Sequence, residues 1–317
     1  MRLLLLFVLA FASASALEAQ TAEAVFVPFE RQEGQVYTVE VVRESEERAG
    51  GLRQQFIRAE TTVSAQVDAV ALEVVRETWT LGAVTVTTEG GIVGAPLGGA
   101  TAFGLVDGLV VRYDADSTGA PRQLLNPERA RAALRQVVRA DEDRPGAFGR
   151  LDAVALREDL RARLADPAAL ADLLLDEPRL VHTVSGRLLT PGQPTTEQVE
   201  RPSPLTSAPV RMTVTTRLDS LSADSSTAFV TWTAEADREA LVESLIAFLE
   251  AASPGQVDPS LVRDLSPTLA LEEQAAFVVS LDAGWVLQTT YTKTARVAGR
   301  ERIERATFRT LPPDSDS

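Results

Sequence analysis

The strongest constraint on the fold of this chain is a period-two alternation of apolar and polar residues, which is typical of β-strands. It dominates residues 25–113, where Tyr37, Val39 and Val41 share one side of the chain. The same pattern returns over residues 180–311. Repeated runs of this kind, separated by turn residues, predict a large antiparallel sheet.

Helical sequence separates the two strand-rich blocks. Asn126 is a good N-cap, with Pro127 at the first helical position and apolar residues at helical spacing after it. Asp166 and Pro167 open another short helix in the same way. Residues 237–250 form a third helix inside the second block, with apolar residues on more than one face. The predicted fold class is therefore α+β, a curved antiparallel sheet partly covered by helices.

Short matches between the two blocks predict an internal duplication. They occur in the same order in each block. This favours two similar halves, residues 20–179 and residues 180–311, that are related by a pseudo-twofold axis. The matches are Val36–Val39 with Val181–Val184, Thr61-Thr62 and Thr78-Trp79-Thr80 with Thr215-Thr216 and Thr231-Trp232-Thr233, and residues 110–115 with residues 278–283.

The amino terminus has the pattern of a signal peptide. Arg2 precedes an apolar run of residues 3–12 and a series of small residues, so we expect residues 1–19 to be removed by cleavage after Ala16 or Ala19. The apolar run is too short to span a bilayer, which needs about 20 residues. The sequence predicts an exported protein, periplasmic or extracellular, that ends in a disordered tail at residues 312–317.

Composition limits the partners of this protein. The chain has no cysteine, so it has neither a disulfide framework nor a cysteine for lipid attachment, and we expect no integral membrane segment after cleavage. Its formal net charge of −14 disfavours binding to nucleic acid and to anionic membrane surfaces. Oligomeric state stays open.

No catalytic signature emerges from the sequence. His182 is the single histidine, and no Gly-x-Ser-x-Gly motif or phosphate-binding glycine loop accompanies it. Residues 114–119 begin like a calcium loop, but position twelve of that loop is Leu125, and the segment also suits a hairpin turn. We therefore predict a protein that is not an enzyme and that has no cofactor or metal site.

A hydrophobic ligand cleft is the one binding site that the sequence suggests. Its candidate residues are large apolar side chains on predicted strands and on the helix that would cover them, although such residues also suit a filled core. They are Trp79, Trp232, Trp285, Leu241, Leu245 and Phe248.

The layout of signal peptide, long antiparallel strands, helices and Asp-Ala turns at Asp114-Ala115 and Asp282-Ala283 resembles uncharacterised secreted β-rich proteins of Gram-negative bacteria. More distantly it resembles half-barrel periplasmic lipoprotein carriers, whose curved sheet holds acyl chains under helices. The resemblance implies a non-enzymatic envelope protein that binds a hydrophobic ligand, such as a lipid, or an acylated partner protein. The alternative is a structural or protein-interaction module with a filled core and no small ligand.

Overall fold

The computed structural model describes residues 23–89, 107–143, 160–202, 209–253, 255–311 and 313. The predicted signal peptide, most of the glycine-rich stretch at residues 90–108 and nearly all of the predicted tail lie outside these residues. The described part is β-rich, with one large antiparallel sheet and a few helices, as the sequence predicts.

Strands and helices follow the order that the two strand-rich blocks predict. The strands are β1 (Val25–Phe26), β2 (Val36–Ala49), β3 (Leu52–Val70), β4 (Val74–Leu81), β5 (Thr85–Glu89), β6 (Val110–Asp116), β7 (Pro121–Leu124), β8 (Leu188–Leu189), β9 (Thr195–Pro202), β10 (Pro209–Leu221), β11 (Thr227–Ala236), β12 (Ala270–Ser280), β13 (Trp285–Val297) and β14 (Arg300–Leu311). The helices are α1 (Pro127–Asp143), α2 (Pro167–Val181), α3 (Arg238–Ala252) and α4 (Pro259–Asp264), with a further helical segment at 160–165 and a 3-10 turn at Ser266–Thr268.

The main sheet is a long antiparallel meander whose two halves meet in its centre. Its order is β7-β6-β4-β3-β2-β14-β13-β12-β11-β10-β9, with β5 beside β3, and β1 pairs separately with β8. The central pair joins the first long strand to the last, from Thr38 opposite Leu311 to Ala49 opposite Arg300. The sheet is therefore completed only by its carboxy-terminal strand.

One face of this sheet, here called the inner face, forms the core. Side chains alternate between the two faces of a strand, and the buried positions Tyr37, Val39 and Val41 of β2 share the inner face. Helices α1 and α2 lie on it, contributing buried residues such as Leu134 and Leu174 to the same core cluster. Burial of an aliphatic side chain contributes about 1.5–3 kcal/mol, so this one-sided burial fixes the register of the strands.

Helix α1 begins where the sequence predicts, but Asn126 does not cap it with its side chain. The Asn126 amide instead accepts a hydrogen bond from the backbone N–H of Arg112 and donates one to the carbonyl of Val110, so it attaches the helix start to β6. Asp166 does cap α2, because its carboxylate accepts from the backbone N–H of Ala168.

Helix α3 is inserted between β11 and β12 and builds a second, smaller core. Asp237 caps it by accepting from the backbone N–H of Ala240. Val242 and Leu245 of α3 pack with Val262 of α4 and with Leu269. Helices α3 and α4 are here called the helical cap. They cover one end of the sheet, and the β12–β13 turn lies at the other end.

The prediction that strands return at Leu180 is wrong. Helix α2 continues through Pro178 to Val181, and His182 is its C-cap, in a segment of turns that ends before β8. Pro178 has no N–H to donate to the Leu174 carbonyl, but its own carbonyl accepts from the backbone N–H of His182 at 3.1 Å, so the helix continues past the proline. One proposed duplication match, Val36–Val39 with Val181–Val184, therefore compares a strand with a helix end.

Candidate functional site

The inner face carries two groups of buried polar side chains. The first, the Glu77 cluster, consists of Glu77 with Arg31, Tyr37, Trp79 and Tyr113. Arg31 belongs to the strap, residues 27–34, which crosses the end of the sheet before β2. The other four residues lie at inner-face positions of β2, β4 and β6, and β3 separates β2 from β4 in the sheet.

Glu77 is fully buried and has hydrogen-bond donors on several sides. Its Oε2 accepts from Tyr113 Oη at 2.6 Å, from Tyr37 Oη at 2.9 Å and from Trp79 Nε1 at 3.2 Å. Its Oε1 accepts from Arg31 Nε at 3.3 Å. A buried carboxylate with this many partners is a well-satisfied structural centre.

Arg31 connects the strap to the sheet through aromatic rings as well as charge. Its guanidinium lies 3.8 Å from the ring centroid of Trp285 and 4.4 Å from that of Phe29. It also donates to the carbonyls of Glu30 and Gly284. The Glu77 cluster therefore holds the strap against the inner face.

Charge and burial oppose each other at this cluster. Burial alone would raise the pKa of Glu77, but the charge of Arg31, the proximity of His182 and the tyrosine hydrogen bonds hold that pKa below its usual value. Burial, followed by the charge of Glu77, raises the pKa of Tyr37 and Tyr113 well above the usual value. Glu77 is thus the anion and the two phenols stay protonated donors.

His182 lies beside this cluster and is buried. Its ring meets Phe29 edge-on, with the centroids 5.1 Å apart, and neither ring nitrogen has a hydrogen-bond partner within the described residues. Burial, with the charge of Arg31 as a second cause, lowers its pKa to about 4. A pKa this low makes the imidazole a weak base, and its burial keeps it from solvent, so neither property favours a general-base role.

The second group, the Tyr291 cluster, lies on the part of the inner face between α2 and the helical cap. Its central residues are Tyr291, Arg43, Glu177, Glu273 and Lys293. Asp176, Arg201, Arg302 and Glu304 surround them. The only lysine of the chain is thus part of a polar group on the inner face.

Arg43 and Glu177 form the most buried pair of the Tyr291 cluster. Arg43 Nη2 lies 2.5 Å from Glu177 Oε1 and 3.9 Å from Asp176 Oδ2. The close approach is poorly aligned, because Arg43 Nε, Arg43 Nη2 and both Glu177 oxygens have no hydrogen-bond partner within the described residues. Burial raises the pKa of Glu177 to about 8, which the charge of Arg43 opposes, and Arg43 itself stays cationic.

The opposite side of the cluster is more open. Glu273 Oε2 accepts from Arg201 at 3.5 Å, and its Oε1 lies 3.9 Å from Lys293 Nζ. The Lys293 side chain is 29% exposed, so solvent reaches this side of the cluster. Arg201 also lies over the ring of Trp232, 5.3 Å from its centroid. A polar group, an aromatic ring and solvent meet here.

The two groups differ in how well they are satisfied. Within the described ranges, the donors and acceptors of the Glu77 cluster are matched, whereas the Tyr291 cluster keeps buried polar atoms without hydrogen bonds, including Thr289 Oγ1 two residues before Tyr291. Unmatched buried polar atoms cost about 1–3 kcal/mol each, so they mark places where a ligand or water has something to gain. The Tyr291 cluster is the better candidate binding site.

The six residues of the predicted cleft are distributed over different parts of the molecule. Trp79 and Trp285 meet at the Glu77 cluster, since Trp285 packs edge-on against Tyr37 with the centroids 4.8 Å apart. Trp232 is buried beside Arg201, and Leu241 belongs to the same main core. Leu245 is part of the small second core, and Phe248 is 42% exposed.

The segment that begins like a calcium loop is a hairpin turn between β6 and β7. Asp114 binds Arg76 through two hydrogen bonds, and Asp116 accepts from Thr118, Ala120 and Arg122. Both carboxylates therefore already have protein partners. Across the described ranges no three His, Cys, Asp or Glu side chains form a set that could hold a metal ion.

The sequence contains a signal for both clusters that the predictions above did not use. Glu77 occupies the same face of β4 as Val75, Trp79 and Leu81. Arg43 likewise follows Tyr37, Val39 and Val41 on the inner face of β2. A charged residue at an otherwise apolar inner-face position must be paired when it is buried. Such positions are therefore candidates for buried networks.

Comparison with known proteins leaves the family open. No protein-family model matches the chain, and no curated protein matches it significantly. An outer membrane channel from Pseudomonas putida F1 is a structural neighbour at 8% identity and a TM-score of 0.20, over 93% of this chain and 99% of that one. A TM-score this low does not establish a shared fold. None of the helices in the described ranges has the length and apolar character needed to cross a membrane.

Proposed function

We propose that this chain is an exported, non-enzymatic envelope protein that binds a hydrophobic ligand or an acylated partner on the inner face of its sheet. The observation that carries the proposal is the Tyr291 cluster, which places unmatched buried polar atoms beside apolar inner-face residues. A ligand with a polar end and an apolar body suits such a boundary, because polar groups near an apolar site fix the orientation of a bound molecule.

The Tyr291 cluster differs in position from the tryptophan-lined cleft that the sequence suggests. Trp79 and Trp285 already contact protein side chains in the Glu77 cluster, whereas Trp232 lies next to the Tyr291 cluster through Arg201. The ligand is therefore expected against Trp232 and the strands β11 to β14, below α2.

The second candidate function is a structural or protein-interaction module with a filled core. The Glu77 cluster favours it, because the strap fills that part of the interior with its own aromatic and charged side chains. In that case the helical cap would contact a partner through apolar side chains such as Phe248 and Leu261, which are 42% and 64% exposed.

Export and architecture complete the proposal. The amino-terminal pattern supports a periplasmic or extracellular protein, like the half-barrel lipoprotein carriers that the layout resembles.

Two related halves are supported by the order of the strands. The set β3, β4, β6 and the set β10, β11, β12 are each an antiparallel meander, and the middle strand of each carries a Thr-Trp-Thr motif. Trp79 and Trp232 occupy these middle strands.

Native mass spectrometry of the full chain, purified after secretion into a bacterial periplasm, tests the function. We expect an adduct of a few hundred daltons that disappears on partial denaturation, together with a mature amino terminus at Leu17 or Gln20. A protein that carries no adduct and does not change its melting temperature with acyl ligands favours the interaction module instead.

A further inference from the structure

We propose that protonation of His182 releases the strap, residues 27–34, from the end of the sheet while the sheet itself stays folded. The strap is then an acid-sensitive cover over this end of the inner face. The inference goes beyond the proposed binding function and does not depend on it. It rests on the enclosure of His182, on the charges around its ring and on the way the strap is attached.

His182 is enclosed by the strap. The residue is 4% exposed, and its ring lies edge-on against Phe29 of the strap. Within the described ranges neither ring nitrogen has a hydrogen-bond partner. The protonated imidazole has two N–H donors and a full charge, and both need acceptors or water. A buried, unpaired charge is costly, so this position accommodates only the neutral ring.

The charges that face the ring do not compensate a proton on it. They are Arg31 from the strap and Glu77 from β4. Arg31 also lies against Phe29, 4.4 Å from the ring centroid, and its positive charge repels an imidazolium. Glu77 attracts one, but both its oxygens already accept hydrogen bonds within the Glu77 cluster. The arginines near His182 in sequence pair elsewhere, Arg179 with Asp172 and Arg187 with Glu197.

The strap is attached by few backbone hydrogen bonds. Val27 donates to the carbonyl of Arg187 at 2.8 Å, and its own carbonyl accepts from Gly186 at 2.7 Å. The β1–β8 pair before it joins only two residues of each strand, whereas β2 pairs with β14 over residues 38–49. The strap can therefore leave while the long strands stay paired.

Release of the strap leaves the carboxylate of Glu77 satisfied. Arg31 departs with the strap, but Tyr37, Trp79 and Tyr113 belong to the sheet and continue to donate to Glu77. Solvent reaches the uncovered side of the carboxylate and the ring of His182. The imidazolium then gains the acceptors that it lacks under the strap.

The direction of the pH dependence follows from these two environments. Burial and the charge of Arg31 lower the pKa of His182 to about 4 under the strap, whereas a hydrated ring titrates near 6.5. Between these values the released state binds a proton that the covered state does not, so acid favours release. From pH 7 to pH 4.5 the ratio of released to covered molecules rises roughly 10- to 100-fold.

Thiol labelling tests the inference, because the natural chain has no cysteine and a single introduced thiol reports one position. Val27→Cys places the thiol in the strap, and Val111→Cys is the matched control on β6, since both valines are 0% exposed. The reagent is 4,4′-dithiodipyridine, which reacts with thiols in mild acid. Each rate at pH 7 and pH 4.5 is divided by the rate of the same variant unfolded in urea at that pH.

We expect the relative labelling rate of Val27→Cys to rise roughly 10- to 100-fold between pH 7 and pH 4.5, and that of Val111→Cys to stay unchanged. Adding His182→Gln should abolish the rise, because an amide takes up no proton. His182→Leu is the second variant. It removes both unpaired ring nitrogens, so it keeps the inference testable if the glutamine variant does not fold.

Three outcomes overturn the inference. An equal rise at both positions means that acid opens the whole fold rather than the strap. No rise at either position means that the strap stays in place. A rise in Val27→Cys that persists with His182→Gln or His182→Leu assigns the release to another group. None of these measurements involves a ligand, so each of them leaves the proposed binding function standing.

Discussion

Tyr113 on β6 and Glu77 on β4 are opposite each other in the sheet and are joined by a hydrogen bond of 2.6 Å from the phenol to the carboxylate. Tyr113→Phe removes this donor while keeping the ring. We expect the free energy of unfolding to fall by about 1.5–3 kcal/mol, since the bond lost is to a buried charged group. Urea denaturation followed by circular dichroism measures this change.

Tyr291→Phe is the matched control for that experiment. The Tyr291 hydroxyl lies among the mixed charges of Glu273, Glu304 and Arg201 rather than on one buried carboxylate. We expect its removal to change the unfolding free energy by less than about 1 kcal/mol. An equal loss of unfolding free energy in the two variants would show that the hydrogen bond to Glu77 contributes no more to stability than the Tyr291 hydroxyl does.

Gly284 is predicted to be essential for the close packing of the strap against the turn between β12 and β13. It has φ of 65°, and an added Cβ would lie 2.8 Å from the backbone nitrogen of Glu30. Gly284→Ala is therefore expected to be destabilising by more than the roughly 1 kcal/mol that left-handed backbone alone costs a non-glycine residue. Thermal unfolding of the variant checks this.

Gly299→Ala separates the two contributions. Gly299 also has positive φ, 78°, but an added Cβ there would have no atom within 4 Å. It should show the backbone cost alone, so the difference between the two variants measures displacement of the strap. If Gly284→Ala is no worse than Gly299→Ala, the strap moves without cost.

His182 is predicted to make the protein sensitive to mild acid. Its folded pKa of about 4 lies below the usual 6.5, because burial and Arg31 disfavour the cation more than Glu77 favours it. Between these values the unfolded chain binds a proton that the folded chain does not, so stability falls as the pH decreases from about 6.5 to about 4. His182→Gln should flatten this part of the stability profile, by up to about 3 kcal/mol. Identical profiles for wild type and variant between pH 4 and 7 would contradict it.

Glu177 is predicted to have the opposite pH dependence. Its folded pKa of about 8 lies above the usual 4.5, so in that interval the folded chain keeps a proton that the unfolded chain releases, and stability falls as the pH rises. Arg43 on β2 and Asp176 on its own helix are the charges that face it, and Tyr291 and Glu304 act on Arg43 from β13 and β14. Glu177→Gln should lose this slope, and denaturation midpoints at pH 5, 6.5 and 8 measure it. Exposed Glu60→Gln is the control, expected to leave the slope unchanged.

Local patterns predicted most of the sheet. The alternation of Val210 to Leu218 with Ala228 to Ala234, around a Ser/Asp turn, is observed as the β10–β11 hairpin, and Trp232 lies opposite Thr216. Asp166 with Pro167 gave the start of α2, because capping depends only on residues next to each other in the chain. Such features need no information from distant residues.

The parts that the sequence did not predict depend on contacts between distant segments. The alternating pattern predicts strands from residue 180, whereas tertiary contacts of buried Leu180 and Val181 extend α2 past Pro178. The Glu77 cluster joins Arg31 of the strap to Tyr113 of β6 through Glu77 of β4, and Arg43 meets Glu177 only because α2 crosses the inner face. Periodicity marks Glu77 and Arg43 as charged residues at inner-face positions, but it does not identify their partners.

The pairing of β2 with β14 also has a consequence for the order of events after synthesis. Residues 38–49 must wait for residues 300–311 before the two halves of the sheet can join. Contacts between segments so far apart in sequence form slowly, because a long loop has to close first. A chain still emerging from the ribosome therefore lacks the β2–β14 pairing, so the central pair of strands forms only after residues 300–311 are available.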